Sequence, residues 1–136
     1  MNTADRLIEA LRAAGIATGD AQAHVGSEPL TGRYCVIWQV LERAGENTVA
    51  DPNTDRIVDL QITSVGPSRR AADQVAEAAG AVALGPLPPP DGRTWMGAPE
   101  YVVGNPTSRE TPSDPAHPEA PVWSRADIYR YYLTPL

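Results

Sequence analysis

Apolar and polar positions change their spacing several times along the chain, and each change marks an element. Between residues 56 and 66 they alternate, with Val58, Leu60 and Ile62 on one side and Asp59, Gln61 and Thr63 on the other. That is the two-residue period of a strand with one wet face. Gly66 and Pro67 break the strand, Ser68 is placed to cap a helix, and Ala72, Val75, Ala76 and Ala79 then recur at helical spacing before Gly85. A half-buried strand therefore runs directly into an amphipathic helix.

The same logic reads the first third. Asn2 with Asp5 three positions on resembles a capping box, and Asp5 suits the positive end of the helix dipole. Ala4, Leu7, Ile8, Leu11 and Ala14 form one apolar stripe that Gly15 stops. Residues 21–25 are expected to form a short edge strand and residues 26–32 a loop around Pro29. The run RYCVIWQVL at 33–41 is β-branched and aromatic and predicts a central strand. Its alternation places Tyr34, Val36, Trp38 and Val40 on one side and Cys35, Ile37, Gln39 and Leu41 on the other. Residues 42–55 are polar and turn-rich, an unusually long connection between two antiparallel strands.

Beyond the second helix, Pro86, Pro88, Pro89 and Pro90 stiffen the chain, and Asp91-Gly92 makes a turn. A strand is expected at Tyr101, Val102 and Val103. Residues 105–121 carry prolines at 106, 112, 115, 118 and 121 and read as an extended surface loop, so that 86–121 as a whole is Pro-rich and irregular. The closing VWSRADIYRYYL alternates Tyr129, Tyr131 and Leu133 with Ile128, Arg130 and Tyr132, a terminal strand whose two faces both suit protein contact. The pattern predicts a single α+β domain over residues 1–136, a mostly antiparallel sheet of about four strands with two helices packed on one face.

Composition narrows the function classes. With 17 acidic and 11 basic side chains the net charge is −6, which argues against a dedicated nucleic-acid binder. There is no Phe, so the core must be built from Leu, Ile, Val, Trp and Tyr. The single Cys35 excludes an internal disulfide, and no Cys/His cluster has the spacing of a zinc site. No run approaches the roughly 18 apolar residues of a membrane span, nor is there a leading basic-then-apolar segment, so the expected site of synthesis and use is the cytoplasm.

Candidate chemistry is sparse. A nucleophile and base would need His24 or His117 beside Ser, Thr or Cys. Cys35 lies mid-strand among apolar neighbours, where an inert thiol is the simpler reading. His117 with Asp114 and Glu119 is a conceivable weak metal site, and a solvated loop histidine explains it as well. Arg69-Arg70 stands at a helix start without a glycine loop or a P-loop lysine. Trp95, Trp123 and the Tyr129, Tyr131 and Tyr132 cluster suit base stacking, but near the final strand only Arg125 and Arg130 would accompany them, and core or subunit contact is the better reading. The sequence thus assigns no catalytic residue, no cofactor-binding residue, no metal ligand and no cofactor. The polar stretches 42–55 and 105–121 and the Ala-rich second helix suit repeated contacts in an assembly.

Three segments, TADRLIEALRAAGI, RIVDLQITSVGPSRRAADQVAEAAGAV and WSRADIYRYYL, together resemble the tail-terminator (tail-completion) proteins of long-tailed phages and, more broadly, related neck and tail-tube proteins. The resemblance implies a small α+β subunit of a ring, hexameric in that family, at the head–tail junction of a virion. Such a ring caps the tail tube, ends its polymerisation and joins it to the head-side connector. It implies homo-oligomer, tail-tube and connector or stopper partners, no membrane, assembly in the host cytoplasm, and no enzymatic activity. An acidic chain would fit a lumen through which DNA slides without specific binding. Two alternatives stand beside it: a small monomeric module that binds a peptide or ligand through the Tyr-rich C-terminal strand, and a small hydrolase dependent on His24 and His117.

Overall fold

Residues 1–44, 55–110 and 122–136 are described by a computed structural model. The alternating segments form three long strands side by side: β4 (Tyr34–Ala44), β5 (Arg56–Gly66) and β9 (Val122–Pro135). β5 lies between the other two and is antiparallel to both, with Ile62 opposite Ile37 on one side and Asp127 on the other. β1 (Thr18–Asp20) adds in parallel to the first half of β4. The far side of β9 is shared by three short antiparallel strands, β6 (Arg93–Trp95), β7 (Glu100–Gly104) and β8 (Ser108–Glu110). The result is a seven-stranded, mostly antiparallel sheet, beside which β2 (His24–Val25) and β3 (Glu28–Pro29) make a two-stranded ribbon.

Both helices cover one face of this sheet. α1 (Thr3–Ala13) begins at a capping box in which Asn2 accepts from the Asp5 amide at 2.8 Å and Asp5 accepts from the Asn2 amide at 2.9 Å. α2 (Arg69–Ala83) begins at Ser68, whose hydroxyl accepts from the Ala71 amide at 3.1 Å. Leu7, Ile8 and Leu11 of α1 and Val75, Ala79 and Ala83 of α2 meet Cys35, Ile37, Val58, Leu60, Ile62, Tyr129 and Tyr131 of the sheet. Small residues along α2 let it lie close to the strands. The Tyr131 hydroxyl, buried with its ring, donates to the Ala83 carbonyl at 2.8 Å, so the bulkiest core side chain leaves no polar atom stranded.

Several sequence expectations are corrected. The sheet has seven strands, because backbone pairing along β9 recruits segments too short to show a period of their own. The irregular stretch 86–121 therefore contains β6, β7 and β8, while Pro86, Pro88, Pro89, Pro90 and Pro106 stay outside them. Pro29 stands in β3, an edge position that needs no donor from it. Of residues 21–25 only His24–Val25 is strand, and β1 lies just before them. β4 runs on through Glu42–Ala44, and a bulge between Gln39 and Leu41 reverses the alternation, so that Leu41 shares a face with Trp38. The remainder of the predicted 42–55 connection falls largely on residues 45–54, and His117, Asp114, Glu119 and the prolines at 112, 115, 118 and 121 on residues 111–121, outside the described residues.

Candidate assembly surface and polar groove

Among the described residues, the candidates Cys35, His24 and the adjacent Arg69 and Arg70 lie apart from one another. Cys35 is fully buried, 3.4 Å from the Thr18 hydroxyl, and burial pushes its thiol up from the usual value, away from the reactive thiolate. His24 is exposed in the small ribbon, and Arg69 and Arg70 are exposed in the first turn of α2. Trp95 packs at the core margin, its ring 5.6 Å from that of Tyr131, and donates to the Leu87 carbonyl at 2.7 Å. Among the described residues no three His, Cys, Asp or Glu side chains are grouped to hold a metal ion. No helix among them is long and apolar enough to cross a membrane.

Two features carry the surface chemistry instead. The first is the sheet face turned away from the helices. Strand alternation and the registers bring Trp38 and Leu41 of β4, Ile57 and Asp59 of β5, and Ile128 and Arg130 of β9 to that side. Val103 of β7 pairs with Ile128 there. Trp38, Leu41 and Val103 are 41%, 42% and 52% exposed, large apolar groups presented to the outside. In their midst Arg130 clamps Asp59 in a two-point bond, Nε to Oδ1 at 2.8 Å and Nη2 to Oδ2 at 3.0 Å. Tyr132 beside it donates to Glu100 at 2.9 Å. Aromatic and aliphatic groups around a two-point Arg–carboxylate pair resemble the composition of protein–protein interfaces.

The second is a groove of about 620 Å³ between α2 and the β7–β9 side of the sheet. Asp127, almost wholly buried, accepts from the Tyr101 hydroxyl at 2.9 Å and from Arg125 Nε at 3.2 Å. Arg125 Nη1 also lies 3.9 Å from Asp73, which accepts from the Thr107 hydroxyl. The Tyr101 ring meets Tyr129 edge-on, centroids 5.4 Å apart. Two glycines keep this arrangement open. A Cβ on Gly104 would collide with the Tyr101 hydroxyl and the Asp127 carboxylate, and one on Gly80 would lie 2.6 Å from the Tyr129 hydroxyl. Burial, with Asp127 and Tyr101 nearby, pushes the Tyr129 phenol up to about 12. Sequence reading placed Tyr129 on the final strand but had no means of pairing it with Asp73, Tyr101 or Gly80, which come from other elements.

No protein-family model matches the sequence, and no curated protein matches it. A solved structure is similar: a chain of the "Virion of native gene transfer agent (GTA) particle" superposes with a TM-score of 0.67 at 16% identity. The match spans 98% of this chain and 95% of that one. At that identity the likeness is one of fold, and it runs nearly from end to end.

Proposed function

We propose that this chain is a structural subunit of a phage-like particle, and specifically a tail-terminator-like protein. In this role copies close into a ring, six-membered by analogy, at the head–tail junction. The ring caps the tail tube, stops its growth and joins it to the connector or stopper, while DNA passes through the lumen. The observation that carries the proposal is the nearly end-to-end fold likeness to a chain of a gene transfer agent virion. The uncovered apolar sheet face supports it, since a closed ring needs extended surfaces that meet other copies or neighbouring proteins. The excess of acidic side chains supports a lumen that repels rather than grips DNA. The chain would then reside in the virion neck after assembly in the host cytoplasm, with function carried by surfaces and no reaction catalysed.

Mass spectrometry of purified particles, combined with electron microscopy of the neck, tests this. The expected outcome is the chain present in few copies, as one ring at the tail end nearest the head. Its absence from purified particles would sink the proposal. The alternative of a monomeric module binding through the Tyr-rich C-terminal strand draws less support, because Tyr131 lies in the core with its hydroxyl on Ala83 and Tyr129 meets the surface only at the groove beside α2.

A further inference from the structure

We propose that the groove between α2 and the β7–β9 side of the sheet is a docking site for a basic segment of a protein partner, seating a Lys or Arg side chain against Asp73, Glu77 and the Tyr101–Tyr129 pair. The charges facing the groove are three carboxylates, Asp73, Glu77 and Asp127, and one guanidinium, Arg125, an excess of two negative charges. Asp73 and Asp127 already share Arg125, whereas Glu77 stands exposed on the rim without an ion pair to any described residue. A carboxylate or phosphate ligand is repelled by this balance, and a cation is attracted.

The tyrosines sharpen the identity of that cation. Tyr131 satisfies its hydroxyl on Ala83, and Tyr101 satisfies its own on Asp127. Tyr129 is only 4% exposed, yet its hydroxyl makes no hydrogen bond to a described residue, and the missing side chain of Gly80 leaves it open to the groove. A phenol oxygen open to the groove keeps its lone pairs free to accept, and the N–H of an incoming ammonium or guanidinium would supply the donor. The paired rings of Tyr101 and Tyr129 add a π surface that favours the same organic cation. A bare metal ion is the poorer fit, because the carboxylates are not grouped as a ligand set among the described residues. This inference stands apart from where the protein sits in a particle.

The test is a titration of the isotope-labelled full chain, followed by amide resonances, with acetyl-Gly-Arg-Gly-amide, acetyl-Gly-Lys-Gly-amide and acetyl-Gly-Glu-Gly-amide. Saturable shifts at Glu77, Gly80 and Tyr101 are expected with the two basic peptides and not with the acidic one, and they should weaken as salt is raised. The D73N/E77Q double variant should bind about tenfold more weakly. Gly80→Ala should block binding by filling the space over Tyr129. Should that variant fail to fold, Glu77→Gln, on the exposed rim, keeps the test decisive. Equal shifts with the acidic peptide, undiminished binding by Glu77→Gln, or no saturable shifts at the groove would each overturn the proposal. A positive titration with the chain missing from particles would defeat the ring and leave the groove standing.

Discussion

Tyr129 and Tyr131 point the same way from β9 and both end under α2, but they meet different fates there. One hydroxyl finds a carbonyl, and the other opens into the groove. Burial raises both phenols above the ordinary value of 10.0, Tyr129 to about 12 and Tyr131 further still. Below that ordinary value the folded and unfolded chains hold the same phenolic protons, so stability does not change with pH on their account. Above it the unfolded chain ionises first, and stability falls as pH rises through about 12. Urea midpoints measured stepwise over that range should decline, and replacing Tyr129 by Phe should make the decline shallower. While the protein stays folded, the phenolate absorbance of Tyr129 should not appear until pH nears about 12; its ionisation near the ordinary value in the folded protein would contradict this. Asp59 and Arg130 make the same point about distance: they pair across two strands, 71 residues apart in sequence, and a strand period says only that they share a wet face.

Elements were legible wherever their signals are local. The capping box at Asn2 and the cap at Ser68 are chemistry between residues three apart, and both stand in the structure as the sequence spelled them. Ser68→Ala leaves the Ala71 amide without its acceptor and should lower stability by about 1 kcal/mol, with Asn2→Ala similar in size. Chemical denaturation would measure both, and a loss near zero for either would show that its helix end is held by packing instead. Failures at this scale have a common cause. β1, β6 and β8 are three residues long each and exist because a neighbouring strand offers backbone partners, whereas β7 contains the strand expected at Tyr101, Val102 and Val103. The bulge at Val40 inverts the side of Leu41, since one inserted residue flips every later side chain in the pairing.

For the whole molecule, the consequence of helices on one face is that they leave the other uncovered. Its apolar groups are already exposed, so the W38E/L41E double variant should leave the melting temperature nearly unchanged. In a ring that uses this face, the same variant should be lost from particles or prevent ring closure, as electron microscopy of assembled material would show. Normal incorporation would place the subunit contacts elsewhere, on the groove or on the outer side of the short strands.

What could be read directly was everything governed by contacts within a few residues: the two helices and their caps, the three long strands and the α+β class. What had to wait for the folded chain was which segments pair, which side of the bulged strand faces out, and which polar groups meet. The groove draws Asp73 and Gly80 from α2, Tyr101 from β7 and Asp127 and Tyr129 from β9. No periodicity links those positions. Their meeting is set by sheet register and by how closely a small-residue helix can settle on the strands, and both are properties of the assembled core.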